Sequence, residues 1–156
     1  MGIVFLEIFG HWNLAIGIFD MIIRQGIDIT DVRRVEAAIR RRGKRFVERV
    51  FTPSEAAYCE SKRMKYEHYA ARFAAKEAAM KAFEVRREHR YRFREIEIRR
   101  APTGKPFLYL SEVSRKRFRV PAKCQMEISM SHEREFAIAT VLVITRDDGR
   151  GKRDEK

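Results

Sequence analysis

One stretch of this sequence, from Ala71 to Phe83, constrains the fold more than any other. It reads ARFAAKEAAMKAF and consists mostly of strong helix formers, with no internal Gly or Pro. Alanines recur along it at an i, i+4 spacing in two adjacent columns, at positions 70, 71, 74, 75, 78, 79 and 82. A helix with such a broad stripe of small side chains lets another backbone approach closely. We therefore expect a central helix packed tightly against a neighbouring element.

Four charged residues border this alanine stripe. Arg72 and Lys76 line one edge, and Glu77 and Lys81 line the other. The spacing of Glu77 and Lys81 is also that of an ordinary i, i+4 salt bridge on a solvated helix face. The helix pattern alone leaves a structural and a functional reading open.

The composition indicates one globular domain with an acidic partner. The chain has 156 residues, 45% hydrophobic and 36% charged, which suffices for a folded core. Its net charge of +12 favours nucleic acid, an anionic surface, an acidic protein or a phosphate-rich ligand as partner. Cys59 and Cys124 lack the spacing of a zinc site or a disulfide framework, so we expect a reducing, cytoplasmic location.

Residues 1–20 form an apolar N-terminal extension. Glu7, His11, Asn13 and Asp20 interrupt it, and neither a basic n-region nor a small-residue cleavage site is visible. We therefore expect neither a signal peptide nor a membrane span here. The extension is either an extra packed element or the product of translation begun upstream of Met21.

The order of elements predicts an α+β fold: a mainly antiparallel sheet packed against the long central helix and shorter helices. Asp31 or Thr30 is expected to cap the first helix, and Thr52-Pro53-Ser54-Glu55 reads as a capping box. Predicted strands cover 21–29, 95–100, 107–110, 126–131 and 136–144; predicted helices cover 32–42, 46–51, 53–61, 66–83 and 111–119. The domain is expected to span 21–145, with residues 84–94 as a loop, the segment SHERE as a turn, and 146–156 as a charged flexible tail.

The segment from Arg33 to Arg49 is the most basic part of the surface. It contains eight Lys and Arg residues against two Glu. A solvated helix face and a docking surface for an acidic partner are both consistent with this imbalance.

Three clusters offer candidate chemistry: Asp28 at a strand end, Glu77 on the central helix, and the late-strand motif SMSH from Ser129 to His132. Two carboxylates from separate elements suit a Mg²⁺ ion that completes its coordination with water and substrate phosphates. Taken singly, a strand-end Asp is more often a turn residue, and a strand-end His is more often structural.

Six segments, taken together, resemble holo-[acyl-carrier-protein] synthases of the 4′-phosphopantetheinyl transferase superfamily. They occur in that family's order and at similar spacing, and the resemblance covers residues 21–144. The segments are GIDITDVRRVE (26–36), RVFTPSEAAY (49–58), ARFAAKEAAMKAF (71–83), FREIEI (93–98), GKPFL (104–108) and ISMSHEREFAIATVLV (128–143).

The resemblance implies transfer of phosphopantetheine from coenzyme A to a serine of apo acyl carrier protein, with release of adenosine 3′,5′-bisphosphate. It implies that Asp28 and Glu77 hold Mg²⁺, that Glu77, Lys76, Lys81 and His132 form the catalytic set, and that the enzyme is a homotrimer with active sites between subunits. Coenzyme A is expected at Arg72, Lys76, Arg86, Arg87, Lys105, Pro106, Ser131 and His132. Carrier docking is expected at Arg33, Arg34, Arg41, Arg42 and Arg45. The base that takes the serine proton is either Glu77 or a metal-bound hydroxide, and the resemblance does not decide between them.

The sequence departs from the family after the central helix. The usual Gly-x-Gly loop is replaced by Glu84, Val85 and Arg86. Our hypothesis is that Arg86, Arg87 or Arg90 replaces the backbone contacts of that loop to the 3′-phosphate; the alternative is weakened coenzyme A binding. Two other functions therefore stay open: a catalytically silent relative that binds carrier protein, and a basic nucleic-acid-binding module. No zinc spacing, RNP motif or helix-turn-helix signature supports the latter.

Overall fold

A computed structural model of the chain describes residues 21–85 and 92–146, together with the backbone of 4–6 and 14–16. The strands are β1 Val4–Leu6, β2 Leu14–Ile16, β3 Met21–Asp31, β4 Glu97–Arg100, β5 Pro106–Tyr109, β6 Cys124–Glu133 and β7 Phe136–Arg146. The helices are α1 Val32–Arg42, α2 Lys44–Val50, α3 Pro53–Glu60, α4 Lys65–Ala82 and α5 Glu112–Arg117, with a 3₁₀ turn at Phe93–Glu95.

The main sheet has three antiparallel strands in the order β3-β7-β6. β7 pairs with β3 from Met21↔Arg146 to Asp31↔Phe136, and with β6 on its other edge. β4 and β5 form a separate antiparallel hairpin, and β1 pairs with β2. The predicted α+β architecture is confirmed.

Helix α4 lies across one face of this sheet. Every alanine of its stripe is at most 2% exposed. The contact with β3 is closest at Gly26, where an added Cβ would lie 1.9 Å from the carbonyl oxygen of Ala78 and 2.7 Å from the amide nitrogen of Ala82. The small side chains therefore do what their spacing predicts: they let the helix and strand backbones meet.

Local capping fixes where the first helices begin. The Asp31 carboxylate accepts a hydrogen bond from the Arg33 amide at 2.8 Å. At α3, the Thr52 hydroxyl accepts from the Glu55 amide at 3.3 Å, while the Glu55 carboxylate accepts from the Thr52 amide at 2.8 Å. The predicted capping box is therefore present.

The opposite face of the sheet is open and apolar within one chain. Because side chains alternate along a strand, residues pointing away from α4 meet no second layer in the described part of the chain. The exposed ones include Ile23 (60%), Ile27 (52%), Ile29 (65%), Phe136 (47%) and Ile138 (40%). An apolar face of this extent indicates a surface that another protein covers.

Element boundaries differ from prediction at one functional position. β6 extends to Glu133, so Ser131 and His132 lie in the strand and only Arg134 and Glu135 form the turn to β7. His132 and Glu133 pair with Ala137 and Phe136 of β7, so the strand continues two residues past its predicted end. Residues 147–156 of the predicted tail lie outside the described residues. Among the helices described, none is long and apolar enough to cross a membrane.

Candidate active site

The crossing of α4 and β3 brings charged groups of both elements together. Asp28 follows Gly26 by two residues on the same strand face, beside α4. The ammonium of Lys81 lies 2.9 Å from Asp28 Oδ1 and 2.7 Å from the carbonyl oxygen of Ile27. The other carboxylate oxygen of Asp28 accepts a hydrogen bond from the Thr30 hydroxyl at 2.9 Å. Asp28 is thus held in place rather than free to rotate.

Glu77 lies one helical turn before Lys81. An i, i+4 pair on a helix has its Cβ atoms about 6 Å apart, so Glu77 and Lys81 share one column of α4. Lys81 touches Asp28, and Glu77 is half-buried beside the same crossing. The sequence-predicted set of Asp28, Glu77 and Lys81 therefore belongs to one region of the molecule.

The donor set of this region fits Mg²⁺ better than a metal that needs a complete protein cage. Among the described residues, no group of three or more His, Cys, Asp or Glu side chains is arranged to hold a metal. Asp28 and Glu77 supply two hard carboxylates from separate elements, and each carboxylate oxygen has a second lone pair. Such a pair leaves most coordination positions to water and phosphate oxygens, as Mg²⁺ prefers.

His132 faces the same side of the sheet as Asp28. Residues directly opposite in an antiparallel ladder share a face, and Thr30, Ala137 and His132 form one row across the three strands. The Nδ1 atom of His132 lies 2.9 Å from Oε2 of Glu67, in the first turn of α4. The ring of His68 packs edge-on against it, with centroids 4.8 Å apart.

A group of cations surrounds the ring of Tyr58 next to the two histidines. Distances to the ring centroid are 4.0 Å for Arg72 Cζ, 4.6 Å for Lys62 Nζ and 5.1 Å for Arg100 Cζ. Arg72 is 2% exposed, and its Nε has no hydrogen-bond partner among the described residues. Three cations and a buried donor without a partner are groups of the kind that bind an anion such as phosphate, which makes this cluster a candidate anion site.

Lys76 is not part of this surface, which corrects the expectation that it contacts phosphate. Its side chain is 0% exposed, and its ammonium lies 2.8 Å from Oε2 of Glu55. It also donates to the carbonyl oxygens of Phe93 and Ile96. These three partners use all three ammonium hydrogens, so none is left for a substrate. Burial lowers the pKa of Lys76, against the opposing effect of Glu55.

Three further residues expected at coenzyme A lie away from the α4–β3 crossing. Lys105 forms an exposed ion pair with Glu127 at 2.8 Å, and Pro106 begins β5. Ser131 pairs with Ile138 and is exposed on the open face of the sheet, whereas its neighbour His132 faces α4. Adjacent residues of a strand point to opposite faces. Within one chain, Ser131 and His132 therefore do not contribute to one site.

The predicted docking residues form an exposed basic surface. Arg33, Arg34, Arg41 and Arg42 lie on α1, and Arg45 lies on α2. Arg33 is paired with Asp31 at 3.3 Å and with Glu135 at 3.6 Å. A surface cavity of about 590 Å³ is lined by Arg41, Arg42, Arg45, Phe46 and Arg49. This cavity combines four guanidinium groups with one aromatic ring.

The end of α4 keeps a backbone shape that glycine usually provides. Glu84 has φ +54°, in the left-handed region. The Val85 amide donates to the Met80 carbonyl and the Glu84 amide to the Lys81 carbonyl, which together form a Schellman motif. The chain therefore forms the turn that glycine usually allows, although Glu84 occupies the position of the first glycine in the family's loop. Arg86, Arg87 and Arg90 lie outside the described residues, so their expected roles stay predictions.

Several site residues were missed in the sequence: Tyr58, Lys62, Glu67, His68 and Arg100. His68 lies one helical turn before Arg72, so the i, i+4 rule applied to α4 would have placed it on the Arg72 side of the helix. Glu67 lies five residues before Arg72, and only the fold shows its contact with His132. Tyr58 and Lys62 are four residues apart at and just beyond the end of α3, whereas Arg100 lies in β4. Only the fold brings these two segments to Arg72.

Comparisons with known proteins identify the family of the chain. Residues 24–141 match the model of the 4′-phosphopantetheinyl transferase superfamily. The holo-[acyl-carrier-protein] synthase of Solibacter usitatus is 38% identical, over 79% of this chain and 98% of that protein. That of Ruminiclostridium cellulolyticum is 40% identical, over 81% and 96%.

Solved structures give the same result. The Helicobacter pylori holo-[acyl-carrier-protein] synthase in complex with coenzyme A superposes with a TM-score of 0.66 and 35% identity, over 76% of this chain and 98% of that chain. The coenzyme A complex from Chronobacterium ammoniagenes gives a TM-score of 0.68 and 30% identity, over 78% and 96%. The chain therefore belongs to the 4′-phosphopantetheinyl transferase superfamily.

Proposed function

We propose that this protein is a Mg²⁺-dependent holo-[acyl-carrier-protein] synthase. It transfers 4′-phosphopantetheine from coenzyme A to a serine of apo acyl carrier protein. The observation that carries the proposal is the meeting of Asp28 with Lys81, one helical turn from Glu77, where α4 crosses β3. The names of the curated relatives and of the coenzyme A complexes support the same reaction class.

The reaction exchanges one P–O bond for another. The serine oxygen bonds to the phosphorus that carries pantetheine, and the bond from this phosphorus to the bridging oxygen breaks. Adenosine 3′,5′-bisphosphate leaves with that oxygen, and the serine proton passes to a base at the site. Asp28 and Glu77 would hold Mg²⁺, which would neutralise negative charge on the diphosphate and on the leaving oxygen.

The cationic residues bind different phosphate groups of coenzyme A. Lys81, 52% exposed at its side chain, reaches from Asp28 to the diphosphate oxygens. Arg72, with Lys62 and Arg100 around Tyr58, receives a phosphate of coenzyme A, and His132 lies beside it. Burial of Arg72 strengthens its interaction with an anion, because the local dielectric is lower than in water.

The docking surface on α1 and α2 binds the carrier protein. Its five arginines (Arg33, Arg34, Arg41, Arg42 and Arg45) are exposed and carry one sign of charge. Such a surface attracts an acidic protein over distance, and salt screens the attraction beyond about 10 Å at 0.1 M ionic strength. α1 begins directly after β3, so a carrier bound here lies near Asp28.

The working enzyme is a homotrimer. The open sheet face exposes apolar side chains from β3 and β7, including Ile27, Ile29 and Ile138. A second copy that covers this face hides apolar surface and brings its residues against Ser131 of the first. Sites between subunits would explain why Lys105, Pro106 and Ser131 lie away from the α4–β3 crossing of their own chain. We place this reaction in the cytoplasm, in keeping with the free thiols Cys59 and Cys124.

Incubation with coenzyme A, Mg²⁺ and an apo carrier protein tests the reaction, with intact-protein mass as the readout. The proposal expects the phosphopantetheine mass on the carrier, and no modification in EDTA. Carrier binding without modification would indicate a silent relative. Salt-sensitive DNA or RNA binding without modification would indicate the nucleic-acid-binding module.

A further inference from the structure

Glu67 and His132 form a carboxylate–histidine pair between two elements far apart in the chain. Glu67 lies in the first turn of α4, and His132 near the end of β6. The side chain of Glu67 is 12% exposed and that of His132 is 30% exposed, so solvent reaches the ring more than the carboxylate. This is the arrangement expected of a carboxylate that supports a histidine facing a ligand.

The bond is made through one particular ring nitrogen. Oε2 of Glu67 lies 2.9 Å from Nδ1 of His132. A carboxylate at neutral pH is only an acceptor, so Nδ1 carries the proton. The hydrogen bond made by one ring nitrogen determines the state of the other. Nε2 is then the nitrogen that meets whatever binds beside the ring.

His68 holds the ring from a second side. Its ring meets that of His132 at 76°, with centroids 4.8 Å apart, and meets that of Tyr58 at 89°. Burial lowers the pKa of His68, helped by the positive charge of His132, Arg72 and Lys62 and opposed by Glu67. His68 therefore stays neutral near pH 7 and acts as a packing surface. Of the two rings, His132 alone has a carboxylate hydrogen-bonded to it in the described structure.

The pair lies at the edge of the cation group around Tyr58. His68 contacts Tyr58, and Arg72 and Lys62 lie over the Tyr58 ring. An anion bound by Arg72 would therefore approach the rings of His68 and His132. A histidine beside a phosphate binds it as an imidazolium, with one N–H for the phosphate and one for a supporting acceptor.

We propose that Glu67 is a positioning residue for His132: it keeps a proton on Nδ1 and fixes the ring, so that the imidazolium formed with a bound anion directs its Nε2–H to a phosphate oxygen of coenzyme A. This rests on the proposed function for the identity of the anion. Glu67 itself touches no substrate. Its contribution is the orientation and tautomer of a ring that does.

The first measurement needs no substrate. In ¹⁵N-histidine-labelled protein, the nitrogen shifts of neutral His132 show which nitrogen is protonated; the chain has four histidines, and His132→Gln assigns the signal. The proposal expects the Nδ1–H tautomer in the unaltered protein, and its loss in Glu67→Ala. An Nε2–H tautomer in the unaltered protein would overturn the proposal, whatever the variants do.

The second measurement is the Kd for coenzyme A by calorimetry. Loss of a hydrogen bond to a charged group predicts a rise of about tenfold in Glu67→Ala. The same change on a His132→Gln background should raise the Kd less than twofold, because the two residues act as one unit. Glu60→Gln removes a carboxylate that instead contacts Tyr69 and Lys65, and should leave the Kd within twofold.

Two results would contradict the proposal here: unchanged affinity in Glu67→Ala, or an equal loss on the His132→Gln background. Glu67→Gln, which has the same shape, serves if Glu67→Ala does not fold; its Kd should lie between those of the unaltered protein and His132→Gln. If the unaltered protein does not bind coenzyme A, the proposed function fails, while the tautomer still decides the role of Glu67.

Discussion

At the scale of single residues, two neighbours on α4 have opposite tasks. Lys76 and Glu77 are consecutive, yet Lys76 is enclosed with Glu55 while Glu77 is half-buried, one helical turn before Lys81. Successive helix residues point about 100° apart, which allows one to face the core and the next to face the site. Lys76 thus stabilises the fold, and Glu77 is the residue of the two that we propose as a metal ligand.

Replacement of Lys76 by Ala should lower the free energy of unfolding by about 3–5 kcal/mol, because it leaves the buried Glu55 carboxylate without its cation. Urea unfolding measures the change. Lys105→Ala is the matched control, because its exposed pair with Glu127 is worth less than about 1 kcal/mol. A fully stable Lys76→Ala protein that had lost transfer activity would instead return Lys76 to the catalytic set.

Glu84 occupies a position where glycine would be more stable. Its φ of +54° costs an L-residue about 1–2 kcal/mol. Glu84→Gly should raise the free energy of unfolding by about 1 kcal/mol, since glycine's greater entropy in the unfolded chain offsets part of the relief. Glu84→Ala keeps the strain and should show no such gain. A less stable glycine variant would mean that the Glu84 side chain has a stabilising partner that outweighs the strain.

At the scale of elements, the site depends on how closely α4 approaches β3. Gly26→Ala places a methyl group 1.9 Å from the Ala78 carbonyl oxygen, so helix and strand must separate. We expect a loss of about 3 kcal/mol or more in urea unfolding. Gly104→Ala is the comparison: φ there is +86° and the nearest atom to an added Cβ is an Arg100 guanidinium nitrogen at 3.9 Å, so about 1–2 kcal/mol is lost to backbone strain alone. Equal losses in the two variants would contradict the close approach.

The elements themselves were largely predictable. The alanine spacing, the Asp31 cap and the Thr52–Glu55 capping box are local signals, and each predicted a feature that the structure contains. The burial of the Lys76 side chain was not predictable, because its partners Phe93 and Ile96 come from a distant segment. The face of Ser131 was not predicted, because strand alternation alone does not show which side of the sheet α4 covers. Periodicity describes an element, whereas burial depends on what packs against it.

At the scale of the whole molecule, the open apolar sheet face indicates assembly. Residue types and strand alternation predicted a sheet, but only the structure shows that one face has no covering layer in the described residues. Under the proposed function, such an assembly would explain how a domain of this size binds both coenzyme A and a carrier protein. Its sites can lie where two copies meet.

Ile29→Glu should convert the trimer to monomers. Ile29 is 65% exposed in one chain, so a charge costs the isolated fold little but is costly in an apolar interface. Light scattering should give three times 18.5 kDa for the unaltered protein and 18.5 kDa for the variant. Val113→Glu, equally exposed at 64% but on α5, should remain trimeric. A monomeric unaltered protein would contradict the assembly.

The central claim is that Asp28 and Glu77 act as one divalent-cation site. Initial rates of phosphopantetheine transfer, measured against Mg²⁺ concentration in the unaltered protein, Asp28→Asn, Glu77→Gln and the double variant, test it most directly. We expect saturable Mg²⁺ activation, at least a hundredfold loss in each single variant, and little further loss in the double variant, as for residues that act as a unit. Full activity in EDTA, or single variants with unaltered Mg²⁺ activation, would contradict the account.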